Sequence, residues 1–256
     1  MKKLNSFYLL IFLFTFHSSI SQDFISQTIV YDGNIREYEL YIPENYSNSN
    51  EVPLLFNFHG GGGTAADQIY LSDMRSLADQ NNFILVYPQA IADPTDNGSL
   101  NWIFKGDSDH DDIYFVEALI DELSSQYSVD PKRVYACGYS LGGEFVYELL
   151  CRLNHKIASG VAVARTMGQY QYENCNPERP TPIMTILGTE DIESNYNGVV
   201  YNGVTYYISA DDTHEYWASY NNADVNPLEI ELPDDNNNDG STVTKRTWGN
   251  GDGCVS

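Results

Sequence analysis

The chain predicts an α/β fold, a mainly parallel central sheet with helices on both faces. Three observations carry that prediction. Short continuous apolar runs at 53–58, 83–88, 133–139, 157–164 and 182–188 alternate with segments of helical periodicity, the pattern of βαβ crossovers. Gly138-Tyr139-Ser140-Leu141-Gly142 sits where one of those runs gives way to a helix-like segment, the context in which G-x-S-x-G forms a nucleophile elbow. His59-Gly60-Gly61-Gly62-Gly63 directly follows an early strand-like run, the place of a glycine-rich oxyanion loop.

Taken in order, residues 1–21 read as a secretory signal. Lys2 and Lys3 supply a positive start, 4–16 is mostly apolar, and Ser19 and Ser21 suit a peptidase site that leaves Gln22 first. The apolar run is shorter than the roughly 20 residues a membrane span needs. The rest, 22–256, reads as one domain. A hairpin is expected around Asp32-Gly33-Asn34, then the buried strand at 53–58. One helix is expected over about 67–80, with Ile69, Met74, Leu77 and Ala78 inward. The strand at 83–88 ends at Pro88. Residues 89–110 form a long irregular segment, and loops of such length are often functional. Asp111 or Asp112 caps the next helix, whose apolar face is Ile113, Val116, Leu119, Ile120 and Leu123. The serine-bearing strand, a helix over 141–154, two further strands and a short helix near 213–221 follow. Beyond it one strand is expected within 241–248.

The formal net charge is −23, nearer −25 without the signal lysines. So acidic a surface repels nucleic acid and anionic membranes, and neither is expected as a partner. Four cysteines, Cys137, Cys151, Cys175 and Cys254, follow the signal. In an oxidising compartment they allow two disulfides in three connectivities, although Cys137, in a buried strand, reads equally as a reduced core thiol. They are too scattered for a metal site. The acidic turn at 234–240 lacks the full calcium-loop pattern and reads as solvated. No cofactor or metal is expected.

Ser140 is the expected nucleophile. An amide of Gly60 or Gly61, with that of Leu141, would hold the oxyanion. His59 more naturally orders the loop than acts as a base. Asp191, after an apolar strand, is the expected acid, with Glu190 and Glu193 as local competitors. The base is the difficulty. Of five histidines, only His214 keeps the order Ser-acid-His, and it reads as a capping or surface residue of a helix. The aromatics Trp102, Phe104, Tyr114, Tyr170, Tyr172, Tyr196, Tyr201, Tyr206 and Tyr207 are candidates for stacking on a substrate, or for packing.

Together these motifs resemble the secreted polyhydroxybutyrate depolymerase/feruloyl esterase family, the LpqC-like esterases of the α/β-hydrolase fold, over about 27–256. The carriers are the HGGGG segment with its preceding strand, the Asn101-Trp102 pair, the segment 111–123, the run through Ser140, and Gly188-Thr189-Glu190-Asp191. The resemblance implies Ser140 as nucleophile, Asp191 as acid, and Gly60, Gly61 and Leu141 as oxyanion contributors. It implies a carboxylic ester substrate, feruloyl or acetyl esters of plant polysaccharide or a hydroxyalkanoate polyester, and export to the extracellular space or periplasm. A relative that binds such polymers without turnover is the alternative. The family's histidine loop lies downstream of a cysteine resembling Cys254, so a C-terminally incomplete domain is expected. Leu141 and Arg165 depart from the family, many members of which carry Asn and a smaller residue at those positions.

Overall fold

The computed structural model describes residues 23–94, 96–102, 111–236 and 238–254; the signal expected over 1–21, and Phe104 and His110, lie outside them. The strands are β1 (Ile25–Tyr31), β2 (Asn34–Tyr41), β3 (Val52–Phe58), β4 (Ile84–Pro88), β5 (Ala92–Asp93), β6 (Ser99–Leu100), β7 (Val129–Tyr139), β8 (Ser159–Val163), β9 (Ile183–Ile186), β10 (Val199–Tyr201), β11 (Val204–Tyr207), β12 (Leu228–Glu231) and β13 (Thr244–Thr247). The α-helices are α1 (Ala65–Leu71), α2 (Arg75–Asn81), α3 (Asp112–Gln126), α4 (Leu141–Arg152), α5 (Gln169–Asn174) and α6 (Ala210–Tyr220).

Seven strands form the main sheet in the order β1-β2-β4-β3-β7-β8-β9. The pairs from β4 to β9 are all parallel, and the β1–β2 hairpin joins antiparallel at one edge. This is the mainly parallel sheet the alternating pattern predicted. The hairpin turn is Asp32-Gly33, both at positive φ (48° and 73°), the twist a two-residue hairpin prefers.

Alternation along the strands separates two cores. Leu54, Phe56 and Phe58 of β3 and Ile84 and Val86 of β4 face α3 and α4. Leu85, Tyr87 and Tyr41 face the opposite side with Ala65 of α1 and Ala78 of α2. Helices therefore cover both faces, as a sheet buried on both sides requires. Asp111 caps α3, its Oδ1 accepting the Ile113 N–H at 2.9 Å. Its neighbour Asp112 is buried and ion-pairs with buried Arg36 at 2.7 Å.

Local structure differs from expectation in three places. The helix expected over 67–80 is two helices, broken at 72–74. The buried Tyr87 hydroxyl enters that break, donating to the Ser72 carbonyl and accepting the Met74 N–H at 3.2 Å. Tyr170 and Tyr172, which the sequence places in a loop after a strand, lie instead on α5. Beyond α6 there are two strands, β12 and β13, paired antiparallel.

One disulfide, Cys151–Cys175, ties the last turn of α4 to the end of α5, with Cα atoms 4.9 Å apart. Cys137 is a buried free thiol, the second of its two expected readings. Among the described residues no helix is long and apolar enough to cross a membrane, and no group of three or more His, Cys, Asp or Glu side chains could hold a metal ion.

Candidate active site

The parallel strands β3, β7, β8 and β9 end at the same edge of the sheet, and each delivers one feature there. Across that edge the order is the Gly60–Gly63 loop after β3, Ser140 after β7, Arg165 after β8 and Asp191 after β9.

Ser140 stands between β7 and α4 with φ 53° and ψ −120°, a strained conformation for a side-chain-bearing residue. Its N–H donates to the Val163 carbonyl at 2.9 Å and its carbonyl accepts the Glu144 N–H at 3.0 Å, so the strain is held from β8 and from α4. The flanking glycines have no room for a side chain. A Cβ on Gly138 would lie 2.3 Å from the Gly142 carbonyl oxygen. A Cβ on Gly142 would lie 2.3 Å from the Phe58 carbonyl oxygen. The first N–H groups of α4 have no acceptor within the helix, and its dipole favours negative charge at that end.

The glycine loop closes over this turn. A Cβ on Gly60 would lie 3.4 Å from Ser140 Cβ, and one on Gly61 would lie 3.3 Å from Leu141 Cδ2. His59 is 1% exposed and fully engaged. Its Nε2 accepts the Ala90 N–H at 3.1 Å, so its Nδ1 carries the proton and donates to the Gly60 carbonyl at 2.7 Å. Burial pushes its pKa down, and the ring is neutral. His59 thus orders the loop, as its position in the sequence implied. Asn101 and Trp102 finish the scaffold. Asn101 Oδ1 accepts the Gly62 N–H at 3.1 Å. The Trp102 indole donates to the His59 carbonyl at 2.8 Å and stacks on Phe145. Trp102 is core, 3% exposed, whereas Tyr114, Tyr170 and Tyr172 are exposed.

Asp191 lies in the loop after β9. Its Oδ1 accepts the N–H groups of Glu193 and Ser194, both at 2.8 Å. Asp191 and His214 line a cavity of about 1000 Å3 with Trp217, Trp248, Tyr196 and Arg246; Ser140 is not among its walls. His214 lies inside α6, whose cap is Ser209, so it is no capping residue. Its Nε2 is 2.8 Å from the Thr185 hydroxyl on β9, and its ring packs on Trp248. Burial lowers its pKa. His155 sits instead among Glu117 and Glu178.

The hydroxyl of Ser140 is held by a residue whose role the sequence did not reveal. Arg165 Nη2 donates to Ser140 Oγ at 3.1 Å, and its guanidinium lies 4.4 Å from the centre of the Tyr207 ring. The Tyr207 hydroxyl donates to buried Glu144 at 2.7 Å. The signals in the sequence were a long cation just past a strand and its departure from the smaller residue of many family members.

Sequence comparison finds esterases. The chain is 32% identical over 164 residues to a bifunctional acetylxylan esterase/xylanase of Neocallimastix patriciarum, covering 64% of this chain and 22% of that protein. It is 28% identical over 198 residues to feruloyl esterase B of Piromyces equi, covering 75% of this chain and 37% of that protein. No family model matches. The chain spans well under half the length of both relatives. Among solved structures, an acetyl xylan esterase from Aspergillus awamori superposes with a TM-score of 0.62 at 14% identity, covering 88% of this chain and 89% of that one. The fold is that of the α/β-hydrolases. In that fold β7 ends at the strained Ser140 turn, and the HGGGG loop follows β3 beside it.

Proposed function

We propose that the protein is an exported serine hydrolase of carboxylic esters, of the polyhydroxybutyrate depolymerase/feruloyl esterase, LpqC-like kind. The observation that carries this reading is the strained Ser140 at the head of α4, with the glycine loop packed against Ser140 and Leu141. Ser140 Oγ attacks the ester carbonyl. The N–H of Leu141 and that of Gly60 or Gly61 stabilise the oxyanion. The alcohol leaves, and water releases the acid from the acyl-enzyme. The proton passes to an imidazole that Asp191 orients, a group that none of the described histidines supplies at Ser140 Oγ. The esters are feruloyl or acetyl groups on plant polysaccharide, or hydroxyalkanoate polyester. The names of the similar proteins support the first two. The polyester is supported by the 29% identity over 112 residues to poly(3-hydroxyalkanoate) depolymerase C of Paucimonas lemoignei. Neither a metal nor a cofactor enters the reaction.

The second reading, a polymer-binding relative with little turnover, is favoured by one observation: Ser140 Oγ is bonded to a guanidinium, which cannot accept its proton. Among the described histidines, His59, His155 and His214 are all engaged elsewhere. The 256-residue chain is accordingly expected to turn over slowly. Hydrolysis of 4-nitrophenyl acetate and of methyl ferulate by the wild type and by Ser140→Ala separates the readings. The esterase reading predicts hydrolysis above background that Ser140→Ala abolishes without loss of folding. Equal rates in the two proteins contradict it.

A further inference from the structure

We propose that Arg165 selects the substrate, taking a free carboxylate that the ester carries no more than about two carbons from the scissile bond. The proposal rests on the reading of Ser140 as nucleophile. Arg165 is held for such a task from several sides. The preceding Ala164 has φ 51°, a left-handed conformation that a non-glycine residue adopts at a cost, and its N–H is fixed to the Ile186 carbonyl at 2.8 Å. The Arg165 carbonyl accepts the hydroxyl of fully buried Tyr147 at 3.1 Å. Two residues on, the Met167 N–H donates to Thr213 Oγ1 at 3.2 Å and its carbonyl accepts the Ile208 N–H at 3.0 Å. The guanidinium itself lies against the Tyr207 ring and donates to Ser140 Oγ. Its buried Nε has no hydrogen-bond partner, and among the described residues no carboxylate forms an ion pair with it.

A fixed guanidinium of this kind suits a carboxylate, which it can hold through two parallel N–H donors. Strand order says which part of the substrate it meets. The glycine loop lies on the β3 side of Ser140 and Arg165 on the β8 side. The oxyanion therefore points away from Arg165, and the cation faces the acyl chain or the leaving alcohol. A carbonyl carbon poised for attack lies about 3–3.5 Å from Oγ, and Nη2 lies 3.1 Å from the same atom. Only a carboxylate within a few bonds of the ester can reach both. The chain's charge of −23 repels anions at a distance. Beyond about 8 Å at physiological salt that repulsion is screened, and contact energy is set by the guanidinium.

The test is calorimetric and NMR titration of two carboxylates and their neutral partners. Monomethyl succinate against dimethyl succinate places the charge on the acyl side. 3-Acetoxybutyrate against methyl 3-acetoxybutyrate places it on the alcohol side. The expected result is at least tenfold tighter binding of the charged member in one pair, which identifies the side. The preference should shrink with added salt, vanish in Arg165→Met and survive in part in Arg165→Lys. No preference in either pair overturns the proposal for the wild type alone, whether or not a variant folds. So does a preference that a folded Arg165→Met retains. A carboxylate preference without acylation of Ser140 by an activated ester would defeat the esterase reading and leave the anion site standing. Acylation without the preference would defeat the anion site alone.

Discussion

The Cα of Gly142 sits so close to the end of β3 that a Cβ there would lie 2.3 Å from the Phe58 carbonyl oxygen and 2.6 Å from that of His59. The helix after Ser140 and the strand before the glycine loop are thus in backbone contact, and the two halves of the candidate site are set by one approach. Because the obstacle is backbone, no side chain can move aside. Gly142→Ala should cost about 3 kcal/mol or more, the upper range for overpacking. Urea denaturation measures it. A loss below about 0.5 kcal/mol would mean that the contact yields easily.

The Cys151–Cys175 bond closes a separation of 24 residues. Replacing both cysteines with alanine should lower stability by about 2–4 kcal/mol, read from the denaturation midpoint. Cys137 should behave oppositely to a surface thiol. Burial pushes its pKa up to about 12, so the nucleophilic thiolate is scarce. Peptide mapping after iodoacetamide should find Cys137 unmodified in the native protein and alkylated in urea.

Glu148 gives the fold a pH dependence. It is 4% exposed, and burial raises its pKa from 4.5 to about 7, against the pull of Arg152. The folded protein therefore holds a proton that the unfolded chain releases. The stability this contributes is full below pH 4.5 and is lost as pH rises through about 7, by at most about 3 kcal/mol. Glu148→Gln should remove that slope and leave the protein more stable than wild type at pH 8. Identical pH profiles for the two proteins would contradict the assignment.

His59 titrates in the other direction. Its folded pKa is depressed by burial, so its contribution is fully present above 6.5 and is lost as pH falls from there through the lower folded value. Nitrogen-detected NMR at pH 7 should show a neutral ring protonated on Nδ1. His59→Ala would leave the buried Ala90 N–H unpaired, a loss of about 1–3 kcal/mol.

Much of this architecture was legible in the sequence because it depends on local pattern. Leu54, Phe56 and Phe58 alternate with Leu55 and Asn57 in one short run, and Gly138 and Gly142 flank Ser140 at fixed spacing. Those are nearest-neighbour signals. The break between α1 and α2 was not legible, because the group that makes it is the hydroxyl of Tyr87, a residue of the following strand. Cys151 and Cys175 were visible as cysteines but not as a pair, since four cysteines leave three connectivities. Arg165 was visible only as an unusual residue. Its contact with Ser140 arises because β7 and β8 are neighbours in the sheet, and sequence order does not record which parallel strands are neighbours.

If Ser140 is the nucleophile, it carries the acyl group of the intermediate, and that adduct can be trapped. The protein is mixed with 4-nitrophenyl acetate, quenched in acid, and mapped by peptide mass spectrometry. One acetyl group should appear on the peptide that contains Ser140, formed with a burst of nitrophenol and absent from Ser140→Ala. An unmodified Ser140 peptide, or the same adduct in Ser140→Ala, would contradict that role.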